Sequence, residues 1–273
     1  MLKNKTLSIS LFVLVLIVSA CNKKPNTLLI LHTNDSHSQV EATKDGFGGF
    51  AARQALIDSF RIEYPNLLLI DAGDIFQGTP YFNMFNGRLE IEAYNQMGYE
   101  AMTLGNHEFD KGIDTLAARI REAKFPVVCS NYEVGGTALE GLIKPYIVIN
   151  KNGLKVGILG LGVDPNKLIL ETYFGGIKYT DPIKAANRYA EILKNKEKCD
   201  FIIALSHLGY STDPEIMSDS LVAVNSRNID LILGGHTHEI RGTFDIKNLD
   251  NKSVSVMQAH KSAKEITAVV VEY

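Results

Sequence analysis

The chain is written in short apolar runs separated by stretches of helical spacing. TLLILH (27–32) has the length and apolar content of a buried strand, and NLLLIDAG (66–73) repeats the pattern. Between them GFAARQALIDSFRIEY (49–64) spaces its apolar residues for one face of a helix. RLEIEAYNQMG (88–98) has the same spacing and a terminal glycine, and EAMTLGN (100–106) returns to a strand. YTDPIKAANRYAEILKNKEK (179–198) carries its own helix start, Asp181 as N-cap and Pro182 in the first turn. CDFIIALSH (199–207) and IDLILGGH (229–236) are the next strands. Strands alternating with helices predict an α/β fold with parallel strands buried on both faces. KPYIVIN (144–150), KVGILGLGV (155–163), SVSVMQA (253–259) and ITAVVVEY (266–273) read as strands without intervening helices. That favours a mixed sheet, or two stacked sheets, over one doubly wound sheet. No repeat, low-complexity tract or linker interrupts 27–273, which reads as one domain.

The first twenty residues stand apart. Lys3 and Lys5 precede an almost unbroken apolar run at 7–18, followed by VSAC at 18–21. A charged start, a short apolar stretch and small residues before a cut form a secretory signal, too short for a comfortable membrane span. The small residues ending at Cys21 resemble the lipobox of bacterial lipoproteins, which implies lipidation of that cysteine. The expected organisation is a signal at 1–20, a lipidated tether at 21–26 and the domain at 27–273. Such a protein is exported and held on a bacterial membrane through its lipid. Asn22, not aspartate, follows the cysteine, which favours the outer membrane where there is one.

Composition narrows the partners. The chain is 45% hydrophobic and 22% charged, as globular proteins are, and its net charge of −3 comes with no basic block. The footprint of a protein that binds a nucleic-acid polymer is missing. Cys129 and Cys199 lack C-x-x-C spacing and read as buried thiols, or as a pair if the fold makes them neighbours.

Chemistry gathers where the apolar runs stop. LLILHTNDSH ends in Asp35 and His37, LLLIDAGD in Asp74, and AMTLGNHEFD in Asn106, His107 and Asp110. FIIALSH ends in His207, and DLILGGHTH in His236 and His238. In open α/β folds ligands bind in the crevice outside the carboxyl ends of the strands. The donors are carboxylate, amide and imidazole, which suit Mn, Fe, Zn or Mg rather than a thiolate-bound structural zinc. Asp35, His37, Asp74, Asn106, His207, His236 and His238 exceed what one ion needs, and they divide between two divalent ions if Asp74 bridges. A pair of ions is the clamp used for in-line displacement at phosphorus. In an extended GGHTHE segment (234–239), His236 and His238 would project to one side.

The blocks D-x-H (35–37), G-D (73–74), G-N-H-E (105–108), H (207) and G-H-x-H (235–238) resemble the calcineurin-like metallophosphoesterases. LHTNDSHS, DAGDIFQGTP, LGNHEFDKG, LSHLG and GGHTHE are similar to the bacterial 5′-nucleotidase branch, which includes UDP-sugar hydrolases and 2′,3′-cyclic phosphodiesterases. The resemblance implies a four-layer αββα sandwich of two mixed sheets flanked by helices. It also implies one ion on Asp35, His37, Asp74 and His238, and the other on Asp74, Asn106, His207 and His236. His107 resembles the catalytic histidine and Asp110 its orienting partner, while His32 and His260 match no ligand position and read as structural. The implied reaction is attack of metal-activated hydroxide on a nucleotide or related small phosphate ester.

Full-length proteins of that branch carry a second, C-terminal domain that binds base and sugar, and residues 27–273 are expected to lack it. Phosphate-ester hydrolysis is therefore better founded than nucleotide selectivity. A separate protein supplying recognition, a 2′,3′-cyclic phosphodiesterase or broad phosphatase, and a non-catalytic metal- or ligand-binding lipoprotein are the competing expectations.

Overall fold

The computed structural model describes residues 26–238 and 242–273. The expected signal, Cys21 and the tether up to residue 25 lie outside the described residues. In chain order the strands are β1 (Thr27–Thr33), β2 (Leu68–Asp71), β3 (Ala101–Met102), β4 (Val127–Val128), β5 (Tyr132–Glu133), β6 (Ile143–Lys144) and β7 (Tyr146–Lys151). They continue as β8 (Leu154–Leu161), β9 (Lys178–Tyr179), β10 (Phe201–Ser206), β11 (Leu231–Gly234), β12 (Thr243–Lys247), β13 (Ser253–Gln258) and β14 (Thr267–Glu272). One six-stranded sheet runs β14-β1-β2-β3-β4-β6 and the other β12-β13-β11-β10-β8-β7, with β5-β9 as a separate small pair. The first sheet is parallel from β1 to β6, with β14 antiparallel at its edge. The second is parallel from β13 to β8, with β12 and β7 antiparallel at the two edges. Two stacked mixed sheets are what the helix-free strands predicted.

Strand periodicity explains why the sheets face each other. Leu28 and Ile30 of β1, Leu68 and Ile70 of β2, Ile203 and Leu205 of β10, and Leu231 and Leu233 of β11 share one buried layer. Their odd-even partners turn outward. Leu29, Leu31 and Leu69 meet the helices α1 (Phe50–Glu63), α2 (Pro80–Phe85), α3 (Arg88–Met97) and α4 (Ile113–Glu122). After two single-turn helices, α5 (Pro165–Leu168) and α6 (Glu171–Phe174), the second sheet is covered in turn. There Ile202, Ala204 and Ile232 pack on α7 (Pro182–Glu191) and α8 (Asp219–Val224). The layers are therefore helix, sheet, sheet, helix.

Asp181 caps α7 as its sequence position predicts, its Oδ1 accepting from the N–H of Ile183 at 2.9 Å and of Lys184 at 3.1 Å. The pattern left α2, α4, α5, α6 and α8 unread. α4 buries only Leu116, Ala117 and Ile120, a stripe too thin to stand out. EAMTLGN shrinks to the two residues of β3, because its second half already turns into the site. Cys129 and Cys199 are free and buried in the two different helix–sheet layers. Among the described residues no helix is long and apolar enough to cross a membrane.

Candidate metal centre

Five loops leave the carboxyl ends of β1, β2, β3, β10 and β11 and meet at one edge of the sandwich. Three donor groups there have atoms within 4.8 Å of one another: Asp35, His37 and His238; His37, Asp74 and His107; and Asp74, His207 and His236. His37 and Asp74 each belong to two groups, so the three form one continuous cluster.

The first sheet supplies Asp35, His37 and Asp74, and the second supplies the facing imidazoles. His238 Nε2 lies 3.0 Å from Asp35 Oδ1 and 3.1 Å from His37 Nε2. His207 Nε2 lies 3.0 Å from Asp74 Oδ2 and 3.8 Å from Asp35 Oδ1. Donors held roughly 2.0–2.2 Å from one ion in a tetrahedral shell stand about 3.5 Å apart, close to these separations. A further donor, Asn106 Oδ1, is buried without a hydrogen-bond partner. A buried polar atom left unpaired is costly, and a cation facing it removes the cost. The residues present thus fit bound metal.

Protonation follows from the same geometry. His236 is pushed down to about 4 by burial and by the charge of His207, so its ring is neutral and able to ligate. Burial also opposes charge on His207, but Asp74 and Asp35 outweigh it and raise that ring to about 10 without a cation in the cluster. Burial works against charge on His107 as well, yet its bond to Asp110 and the nearby Asp74 carboxylate raise it above a free histidine. His107 Nδ1 lies 2.9 Å from Asp110 Oδ2, in the pairing expected of an orienting carboxylate. The backbone N–H of His107 donates to Asp74 Oδ1 at 2.8 Å, so this loop also orients the shared aspartate.

His236 and His238 do not sit in extended backbone; their φ angles are 76° and 62°, and they enter different donor groups. Asp35, His37 and Asp74 are left-handed too, at 48°, 48° and 56°. Strained conformations of this kind gather at functional sites. Gly235 permits the turn, since a Cβ there would lie 2.9 Å from Asp35 Oδ2 and 3.0 Å from His207 Nδ1.

Glu108 and Asn34 were not singled out from the sequence. Glu108 is buried and accepts the N–H groups of Gly105 at 2.6 Å, Asp74 at 2.9 Å and Ile75 at 2.8 Å, joining the β2 and β3 loops. Asn34 accepts from the N–H of Ala259 at 2.7 Å and donates to the carbonyl of His260 at 2.6 Å and to Asp35 Oδ2. His32 is wholly buried, and burial pushes it down to about 3, a neutral core histidine.

The sequence profile of the calcineurin-like phosphoesterases matches residues 28–239. Snake venom 5′-nucleotidase of Gloydius brevicauda is 34% identical over 268 residues, covering 87% of this chain and 44% of that protein. The 5′-nucleotidase of Vibrio cholerae is 35% identical over 227 residues, covering 79% and 41% respectively. The crystal structure of the 5′-nucleotidase precursor from Thermus thermophilus superposes with a TM-score of 0.83 at 33% identity, over 91% of this chain and 52% of that one. The chain thus spans about half or less of these relatives.

Proposed function

The chain belongs to the calcineurin-like phosphoesterase family, and from that premise we propose that it hydrolyses 5′-nucleotides and related small phosphate esters with two divalent metal ions. The observation that carries this reading is the sharing of Asp74 between donor groups on its two sides. Asp35, His37, Asp74 and His238 would hold one ion, and Asp74, Asn106, His207 and His236 the other. Mn, Zn, Fe or Mg suits such oxygen and nitrogen donors. Bound there, the ions would supply Lewis acidity toward the phosphoryl oxygens and a strong nucleophile from water near neutral pH.

The chain's own groups do the rest. Asp110 fixes His107 through Nδ1, leaving Nε2 to face the ester. Against the effect of burial, the bond to Asp110 and the Asp74 carboxylate favour the protonated ring, which can donate its proton to the departing oxygen or share it with a developing negative charge. Asp74 accepts the backbone N–H of His107, so the loop that carries the acid also orients the shared ligand. The signal at 1–20 and Cys21 support export and lipid anchoring as part of the same proposal.

The test is phosphate release by the metal-loaded chain from residue 22 onward, with Mn, Zn or Mg. The substrates are AMP, UMP, ADP, 2′,3′-cyclic AMP, UDP-glucose and p-nitrophenyl phosphate. Turnover of nucleotides that His107→Ala abolishes supports the reading. Metal binding without turnover of any ester would sink it.

A further inference from the structure

Beside the metal cluster lies a cavity of ≈ 750 Å³, within the size range of small-ligand sites. Its inner wall includes His236 and Thr237 from the β11 loop and Leu208 and Tyr210 from the β10 loop. The two loops are tied together, the Tyr210 N–H donating to Thr237 Oγ1 at 3.3 Å. Their close approach depends on Gly209, at φ 82°, where a Cβ would stand 2.7 Å from Thr237 Cγ2. Whatever fills the cavity therefore abuts residues beside two ligand histidines.

The lining is apolar and aromatic with an acidic rim. Val163, Leu168, Leu208 and Ile216 supply aliphatic surface, and Tyr179 and Tyr210 supply ring faces. Leu168 and Ile216 are 52% and 51% exposed, a cost that a bound apolar group would remove. The Tyr210 ring is backed by Phe244 at 4.8 Å between centroids. Asp164, Asp181 and Glu215 are the charged residues of the lining; among the described side chains no lysine or arginine contributes to it. Asp164 and Asp181 each accept backbone N–H at a helix start. Lys184 reaches Asp181 only at 3.9 Å from an 86%-exposed side chain.

We propose that this cavity takes the organic part of the phosphate ester, an uncharged aromatic group of nucleoside size, and disfavours leaving groups that are themselves anionic. The inference rests on the hydrolytic reading of the adjoining cluster, and it narrows that reading. A nucleoside leaving a monophosphate is neutral. The nucleotide leaving a UDP-sugar or a nucleoside diphosphate carries a phosphate, which three carboxylates would repel. The metal domain would then contribute base selection itself.

The experiment is calorimetric titration of the metal-loaded chain with adenosine, which carries no phosphate, alongside Ile216→Asp and Tyr210→Ala. Ile216 is half exposed, so its replacement leaves the core intact. Bound metal and melting temperature are measured for each variant to exclude misfolding. The expected result is saturable adenosine binding, weakened at least tenfold in both variants, and a kcat/KM for AMP at least tenfold above that for UDP-glucose. Absent adenosine binding, equal binding in the variants, or preference for UDP-glucose would overturn the proposal. A chain that binds adenosine at Ile216 and Tyr210 but hydrolyses nothing would retain the cavity assignment while refuting the catalytic reading.

Discussion

His207 Nδ1 lies 2.7 Å from the carbonyl oxygen of Ala72, a contact that joins the second sheet to the first at the metal cluster. A carbonyl only accepts, so Nδ1 carries the hydrogen and Nε2 is the atom turned toward Asp74. Holding the remote nitrogen of an imidazole in this way orients it as a ligand. His207→Ala is expected to lower bound metal from two ions per chain toward one. Activity should fall by at least about 100-fold, no less than loss of an outer-shell partner costs. Elemental analysis of the purified variant checks this, and undiminished metal content would remove His207 from the ligand set.

Asp110 and His107 are both about one-third exposed, so their pairing acts on proton position more than on stability. His107→Ala should reduce kcat by roughly 10²–10⁴, the usual contribution of acid–base catalysis. Asp110→Asn should cost less and leave metal content unchanged. It also has a directional signature in pH. Asp110 helps raise the His107 pKa, and an acid acts only while protonated, so the rate falls as pH rises through that pKa. Without the carboxylate the falling limb moves to lower pH. A pH profile of kcat with the limb unmoved would show that Asp110 does not act through His107.

Much of this was legible in the sequence because the candidate ligands sit where apolar runs end, and each run is a strand forced to stop at the same edge. The two-sheet arrangement was legible from the strands without helices. What escaped depends on chain segments meeting. Glu108 shields no apolar surface and has no pattern; its role exists only because the Asp74 and Gly105 loops, far apart in sequence, aim their N–H groups at it. Asn34 is the same kind of residue, reaching Ala259 across the whole domain. His236 and His238 were assigned to different ions by the family resemblance, but the left-handed backbone at both is something histidine does not signal. The acidic-rimmed cavity is assembled from α5, β9, the start of α7 and the β10 and β11 loops, so no single stretch announces it.

Asp219 opens α8 directly beneath β11, close enough to Gly234 that a Cβ there would meet its Oδ2. Burial pushes the Asp219 carboxyl up to about 7, against the pull of Ser206, Gln258 and His207. Between the unfolded value of 3.8 and about 7 the folded chain keeps a proton that the unfolded chain has released. Its contribution to stability is therefore present below pH 3.8, and is lost as pH rises toward 7. Asp219→Asn removes that loss, and its advantage over the parent should grow across this window by up to a few kcal/mol, on the order of 4. Urea denaturation of chelated protein at pH 4.5, 6 and 8 measures it. A difference that stays constant with pH would contradict the assignment.

Metal removal should act on the fold as well as on any reaction. The candidate ligands come from loops of both sheets, and the 3.0 Å side-chain approaches of His238 to Asp35 and of His207 to Asp74 cross from one sheet to the other. An ion held there links the sheets at the edge where the strands end. Ions that bind only the folded chain stabilise it by about 2.7 kcal/mol at 100 times Kd. For a domain of this size that corresponds to roughly 5–10 °C in melting temperature. Chelation should lower the melting temperature by about that much, and readdition of Mn or Zn should restore it. The metal-free state has its own compensation, since Asp74 and Asp35 hold a proton on His207 up to about pH 10. A ligating imidazole must give that proton up, so loading at pH 7 should release close to one proton, and metal affinity should rise with pH below 10. Calorimetry in buffers of different ionisation enthalpy counts the proton. Loading that releases none, with an unchanged melting temperature, would mean that the ions sit elsewhere.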